Sequence, residues 1–384
     1  MKKTLVKRLI AIWMVMTMAF GLMACSSGKE EAGGETSETE DASEDAGDAA
    51  ELDMSAVGRF AGSTDFDPDT ETDAMDGNEL ADMPALDSYG IDWSTAKFGI
   101  IVKTLSNESW TNIAGGVKDQ LIEAGVPEKN IDLVAPDSES DAEQQQALCD
   151  ALVGKGYDVI FMAPQADTTL DAQCKEAREA GILVVNIFDS TMQEADLYVG
   201  NISLDTGRLA AEWICEDWCK EEGQVAVVEG LPGAYASINR TAGFLEVCEK
   251  YDGIEVVADV VGNWDRQEAM DQAATIINQY PDIKAFYCCN DTMELGVVEA
   301  IKEANKHGEI AVIGSDGIEG AITSIAAGDA TGTIDLNLYV GGKMAAEAAL
   351  RLIAGEDIPR VVKVPQIVIT KDNTTDHVGY DPDK

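Results

Sequence analysis

Basic residues are scarce: 27 Lys and Arg stand against 71 Asp and Glu in 384 residues, a formal net charge of −44. A chain this acidic is not expected to bind nucleic acid or an anionic membrane face directly. Histidine is scarcer still, with only His307 and His377. Both are distant in sequence from Cys215 and Cys219, which lie one helical turn apart, so no metal site and no cofactor is expected. The chain lacks a Gly-x-Ser-x-Gly elbow and a glycine-rich phosphate cradle. No nucleophile or carboxylate pair stands out, so it is not expected to be an enzyme. Beyond the N-terminus, no apolar run approaches the roughly 20 residues that a membrane span needs.

What is present starts at that N-terminus. Lys2, Lys3, Lys7 and Arg8 precede an apolar run from Leu9 to Phe20, and Leu22-Met23-Ala24-Cys25 follows. A cationic start, a short apolar stretch and small residues before a cut are the parts of a secretory signal. The last four residues resemble a bacterial lipobox. That resemblance implies removal of residues 1–24, lipidation of Cys25, and tethering outside the cytoplasm rather than spanning.

Residues 25–92 are rich in Asp, Glu, Gly, Ser and Thr, with Lys29 and Arg59 the only basic residues. Few large apolar side chains are available to offset the entropy of ordering, so a disordered, charge-extended tether is expected. Phe60, Phe66, Met75, Leu80 and Met83 mark its most structured part. Seven cysteines remain beyond Cys25: Cys149, Cys174, Cys215, Cys219, Cys248, Cys288 and Cys289. An odd number cannot pair completely within one chain, and most fall in apolar patterns where Cys acts as a small buried side chain.

The rest alternates strand and helix patterns. Lys97–Val102, Ile131–Val134, Tyr157–Met162 and Ile182–Ile187 read as strands, separated by helices over Trp110–Ala124, Asp141–Leu152 and Thr168–Ala180. A second series begins with a helix over Leu204–Lys220. It continues with strands at Gln224–Glu229, Ile254–Ala258, Ala285–Cys289 and Ile310–Gly314. Its other helices read as Arg240–Tyr251, Arg266–Gln279 and Met293–His307. Near-continuous apolar strands belong to parallel sheets covered on both faces. The expected fold is α/β, with two similar lobes and ligand chemistry just beyond the carboxyl ends of the strands.

Three of the loops there are Thr104-Leu105-Ser106-Asn107-Glu108-Ser109-Trp110, Asn263-Trp264-Asp265-Arg266 and Asn290-Asp291-Thr292-Met293-Glu294-Leu295-Gly296. They resemble loops of the ribose- and galactose-binding type of bacterial solute-binding protein, the first being similar to its first sugar-contacting loop. Asn263-Trp264-Asp265-Arg266 is similar to the loop with an aromatic platform. Asn290-Asp291-Thr292-Met293-Glu294-Leu295-Gly296 and Val312-Ile313-Gly314-Ser315-Asp316-Gly317 resemble two further signatures, and Gly332-Thr333-Ile334 resembles a crossing between lobes. The likeness spans Lys97 to about Thr370. It implies two Rossmann-like lobes with parallel sheets and a three-segment hinge, the periplasmic binding protein type 1 fold. The first lobe would comprise 93–202 with about 337–362, the second 203–336 with about 363–384.

The resemblance also implies a binding set: Asn107, Trp110, Asp189, Arg240, Trp264, Asn290, Asp316 and Asn337. Asn and Asp suit sugar hydroxyls, which both donate and accept, and flat aromatics suit the weakly apolar faces of the ring. Asp291 is expected to cap the helix that begins near Met293. The chain departs from the pattern in two places. No cation follows Asp189, and the nearest counterpart of the family arginine before Gly-Phe is Arg240, displaced by two residues. The implied function is an extracytoplasmic, monomeric lipoprotein that captures a sugar or polyol between closing lobes and delivers it to an ABC permease. The alternative is a receptor presenting its ligand to a membrane kinase or chemoreceptor. A repressor sharing this fold would need a helix-turn-helix before the body, where this chain has acidic sequence instead.

Overall fold

The computed structural model describes residues 65–381 together with Leu52, Met54 and Val57. The signal sequence, Cys25 and Phe60 lie outside the described residues. Two sheets form the body. The first runs, in spatial order, Ala74–Asp76, Val361–Lys363, Leu197–Gly200, Leu183–Ile187, Val159–Met162, Phe98–Ile101 and Ile131–Val134, and every pairing is parallel. The second runs Ile367–Thr370, Gly332–Asp335, Ala311–Asp316, Ile283–Cys288, Glu222–Glu229 and Gly253–Val261. Only its edge strand Ile367–Thr370 is antiparallel. Central strands such as Val159–Met162, Leu183–Ile187 and Ala311–Asp316 are buried at every residue, because helices cover both faces.

Close helix pairs lock each lobe. Glu108–Glu123 lies against Leu338–Ile353 in the first, and Ser203–Glu212 against Tyr235–Cys248 in the second. Reciprocal glycines allow the approach. A Cβ on Gly116 would sit 2.0 Å from the Tyr339 carbonyl oxygen, and one on Gly342 would sit 2.2 Å from that of Ile113. In the second lobe, a Cβ on Gly207 would meet the Arg240 carbonyl oxygen at 1.8 Å, and one on Gly243 that of Leu204 at 2.0 Å. Any larger residue would drive these backbones apart. The helix carrying Arg240 begins at Tyr235, five residues before its expected start, so Arg240 lies inside the helix rather than at its beginning.

The expected tether is corrected from Asp65 onward: this part of the acidic segment is folded onto the body. Phe66 is buried with Tyr198 and Val361, and the Arg360 guanidinium lies 3.7 Å from its ring centroid. Ala74–Asp76 extends the first sheet at its edge. Asp76 caps the 3-10 turn Gly77–Asp82, accepting from the Asn78 N–H while Glu79 accepts from the Asp76 N–H. Leu80 and Trp93 are buried in the main core, and the Arg351 guanidinium, itself buried, donates to the carbonyls of Leu80 and Pro84. The same segment reaches the second lobe, where the Tyr235 hydroxyl donates to Asp67 at 2.8 Å and the Leu204 N–H to Asp69 at 3.3 Å. A few well-spaced apolar anchors outweigh the average composition here. All seven described cysteines are buried and unpaired. No helix among the described residues is long and apolar enough to cross a membrane.

Candidate functional site

The carboxyl ends of the two sheets face each other across a cavity lined from both. The lobes touch at its rim: the Ser109 hydroxyl donates to Asp316 Oδ2 at 3.1 Å, and the Glu319 N–H donates to Glu108 at 2.8 Å. The arrangement is therefore a closed one.

The first lobe contributes three groups of side chains. Asn107 caps the helix Glu108–Glu123 by accepting from the Ser109 N–H, and its own amide donates to Glu139 Oε1 at 2.8 Å. The indole N–H of Trp110 donates to the same Glu139 oxygen at 2.9 Å, so one carboxylate orients both residues. Lys103, directly after the first-lobe strand Phe98–Ile101, places its ammonium 2.5 Å from Asp189 and 5.0 Å from the Trp110 ring centroid. The cation missing after Asp189 in the sequence is thus supplied from another strand. Phe188, just before Asp189, is held at a φ of 53°, a left-handed conformation that is costly for a bulky residue and turns the chain toward the cavity.

From the second lobe, Arg240 donates to the Cys289 carbonyl at 2.6 Å and to Asp316 Oδ1 at 3.2 Å, while its Nε has no protein partner. Burial lifts the Asp316 carboxyl to about 8, against the Arg240 charge, which pulls it down. Trp264 also has a left-handed backbone, and its ring lies over Gly230, where a Cβ would meet the indole at 2.0 Å. Asn290 caps the helix Asp291–Glu303 through its carbonyl oxygen to the Met293 N–H, leaving its amide N–H groups without a protein acceptor. The expected cap at Asp291 is corrected. Asp291 is fully buried and accepts from the Gly317 and Ile318 N–H groups and the Thr333 hydroxyl, which fixes the loop that follows Asp316.

Seven of the eight expected binding residues line the cavity: Asn107, Trp110, Asp189, Arg240, Trp264, Asn290 and Asp316. Asn337 does not. Its backbone is left-handed, with φ at 51°, and its amide donates to the Pro365 carbonyl at 2.9 Å. Its neighbours Leu336 and Leu338 line the cavity instead, with Lys103, Ser109, Ile113, Glu139 and Phe188. Of these, Lys103 and Glu139 follow first-lobe strands, and the rule that ligands sit beyond strand ends was the signal that could have found them. The described residues contain no cluster of side chains suited to holding a metal ion.

A family model described as periplasmic binding protein domain matches residues 98–357. The chain belongs to this family. It is similar to the D-allose-binding periplasmic protein of Escherichia coli, 32% identical over 253 residues that make up 64% of this chain and 80% of that protein. It is also similar to the ribose import binding protein of Bacillus subtilis, 28% identical over 268 residues, 70% of this chain and 85% of that one. Among solved structures, an ABC transporter solute-binding protein from Actinobacillus succinogenes with bound D-allose superposes with a TM-score of 0.67 at 28% identity. That match covers 74% of this chain and 100% of the other. The folded acidic segment before residue 98 lies outside the family match.

Proposed function

We propose that this periplasmic binding protein captures a neutral sugar or related polyol between its lobes and delivers it to an ABC importer, as a monomer anchored outside the membrane through lipidated Cys25. The observation that carries the reading is the mixed character of the closed cavity. Each lobe offers a buried cation–carboxylate pair, Lys103 with Asp189 and Arg240 with Asp316, and each offers one tryptophan. Opposed donors and acceptors match hydroxyls, and Trp110 and Trp264 match the C–H faces of a ring. Closure then couples binding to lobe position, the state an importer would recognise.

The test is a thermal-shift panel of monosaccharides, polyols, amino acids and carboxylates, followed by calorimetry on the hits. A neutral sugar or polyol should raise the melting temperature, and Trp264→Ala should weaken its binding. Stabilisation by amino acids or carboxylates alone would overturn the reading. For the anchor, Cys25→Ala should abolish fatty-acid labelling in a lipid-modifying bacterium; continued labelling would remove the lipobox.

A further inference from the structure

We propose that the ligand presents a deoxygenated edge, a methyl or methylene where a common sugar has a hydroxymethyl or hydroxyl, to the hinge side of the cavity. This rests on the sugar reading above and narrows it. The cavity is chemically lopsided. Lys103 pairs with Asp189 and Arg240 with Asp316, Glu139 accepts from Asn107 and Trp110, and Asn290 adds a free amide. Another part of its wall is hydrocarbon: Ile113, Phe188, Leu336 and Leu338, each 5% exposed or less.

The helix Leu338–Ile353 links these residues: Leu338 opens it, Leu336 stands two residues before it, and Phe188 and Ile113 approach its glycines. Phe188 lies against Gly341, where a Cβ would stand 2.4 Å from its Cζ. The Ile113 backbone lies against Gly342, where a Cβ would stand 2.2 Å from its carbonyl oxygen. The backbone adds little polarity to this patch. The Leu336 N–H donates to the Asp316 carbonyl and its own carbonyl accepts from Asn201. The Phe188 N–H donates to the Val199 carbonyl and its carbonyl accepts from the Ser190 N–H. The one amide in the adjoining crossing, Asn337, is turned to Pro365.

A hydroxyl pressed onto this patch would lose its water and find no partner among these side chains. That penalty amounts to about tenfold or more in affinity. A methyl there loses nothing and gains buried apolar area. The same logic makes Leu336 a specificity-determining residue.

The experiment titrates the mature protein by calorimetry with matched pairs: D-galactose and 6-deoxy-D-galactose, D-glucose and 6-deoxy-D-glucose, D-allose and 6-deoxy-D-allose, D-ribose and 5-deoxy-D-ribose. In any configuration that binds, the deoxy member should bind about tenfold tighter or more. Leu336→Gln, which supplies an amide, should shrink that ratio, and Leu336→Met should keep it. If Leu336→Gln fails to fold, the wild-type ratios and Leu336→Met still decide. Equal or tighter binding of the hydroxylated member overturns the apolar-edge inference and leaves the sugar reading standing. Failure of every pair to bind overturns the apolar-edge inference, and the sugar reading falls with it only if the wider panel also yields no neutral sugar or polyol.

Discussion

Ser109→Ala removes one oxygen atom and with it the buried link between the lobes. The Ser109 hydroxyl donates to Asp316 at 3.1 Å, and the two residues are only 7% and 8% exposed. Leaving a buried carboxyl oxygen of Asp316 without that partner costs about 1–3 kcal/mol, because the oxygen has no water to replace it. The bond spans the lobes, so it forms only on closure, and its whole value is expressed in ligand affinity. The expected loss is roughly fivefold to 150-fold in Kd, seen mainly as faster dissociation. The second link, from the Glu319 N–H to Glu108, remains; it is exposed at the rim and worth about 0.5–1.5 kcal/mol. In the open ligand-free protein water solvates Ser109, so the melting temperature without ligand should be unchanged while the ligand-induced rise shrinks. Calorimetry with the tightest-binding sugar measures the first effect, and scanning calorimetry with and without it measures the second. Ser109→Thr, which keeps the hydroxyl, should recover most of the affinity. Wild-type affinity in Ser109→Ala, or an equal loss of stability in the ligand-free protein, would refute the reasoning.

Three further outcomes follow from the folded acidic segment and the buried carboxyls. Burial pushes Asp69 up to about 6 and Asp316 up to about 8, so the folded state holds protons that the unfolded chain has already released. Stability should therefore decline as pH rises through the window from about 4 to 8, and Asp69→Asn should flatten the part below about pH 6. Scanning calorimetry across that window checks the sign; a melting temperature that climbs from pH 5 to 8 would contradict it. Leu80→Ala should cost about 2–5 kcal/mol in urea unfolding, because a fully buried side chain is removed. A protein starting at Ile91 should likewise melt lower than one starting at Asp65; equal melting of the two would show that residues 65–90 do not stabilise the body.

Much of the cavity wall could be read from the chain because a parallel α/β sheet sends the carboxyl ends of its strands to the same side. Asn107, Asp189, Asn290 and Asp316 each lie just past a strand pattern, and composition alone marks those patterns. The misses have local causes. Asn337 lies in a hinge crossing with no periodicity, and a left-handed backbone there swings its amide to Pro365 while Leu336 and Leu338 take the wall. Asp291 and Asn290 are both good caps by type. Only the loop at Gly317 and Ile318, which needs an acceptor for its two N–H groups, decides which residue serves the helix and which serves the loop. The acidic segment misled through its average: Phe66, Leu80 and Trp93 are few, but each is buried against the body.

Lys103 illustrates a deeper limit and its consequence. Searching for a cation next to Asp189 along the chain finds none, yet the ammonium lies 2.5 Å away, carried by a strand with one other strand between them in the sheet. Charge compensation of a half-buried carboxylate is a requirement of space, and any strand end within reach can meet it. Where the cation comes from nonetheless matters for the ligand. Lys103 approaches Asp189 from the Trp110 side and lies 5.0 Å from that ring centroid, so the ammonium, the carboxylate and the indole form one surface held at the far end by Glu139. A ligand hydroxyl placed there meets a donor and an acceptor already paired with each other. It must enter that pair rather than replace water around a lone charge, and this rewards a correctly placed hydroxyl more than the presence of one.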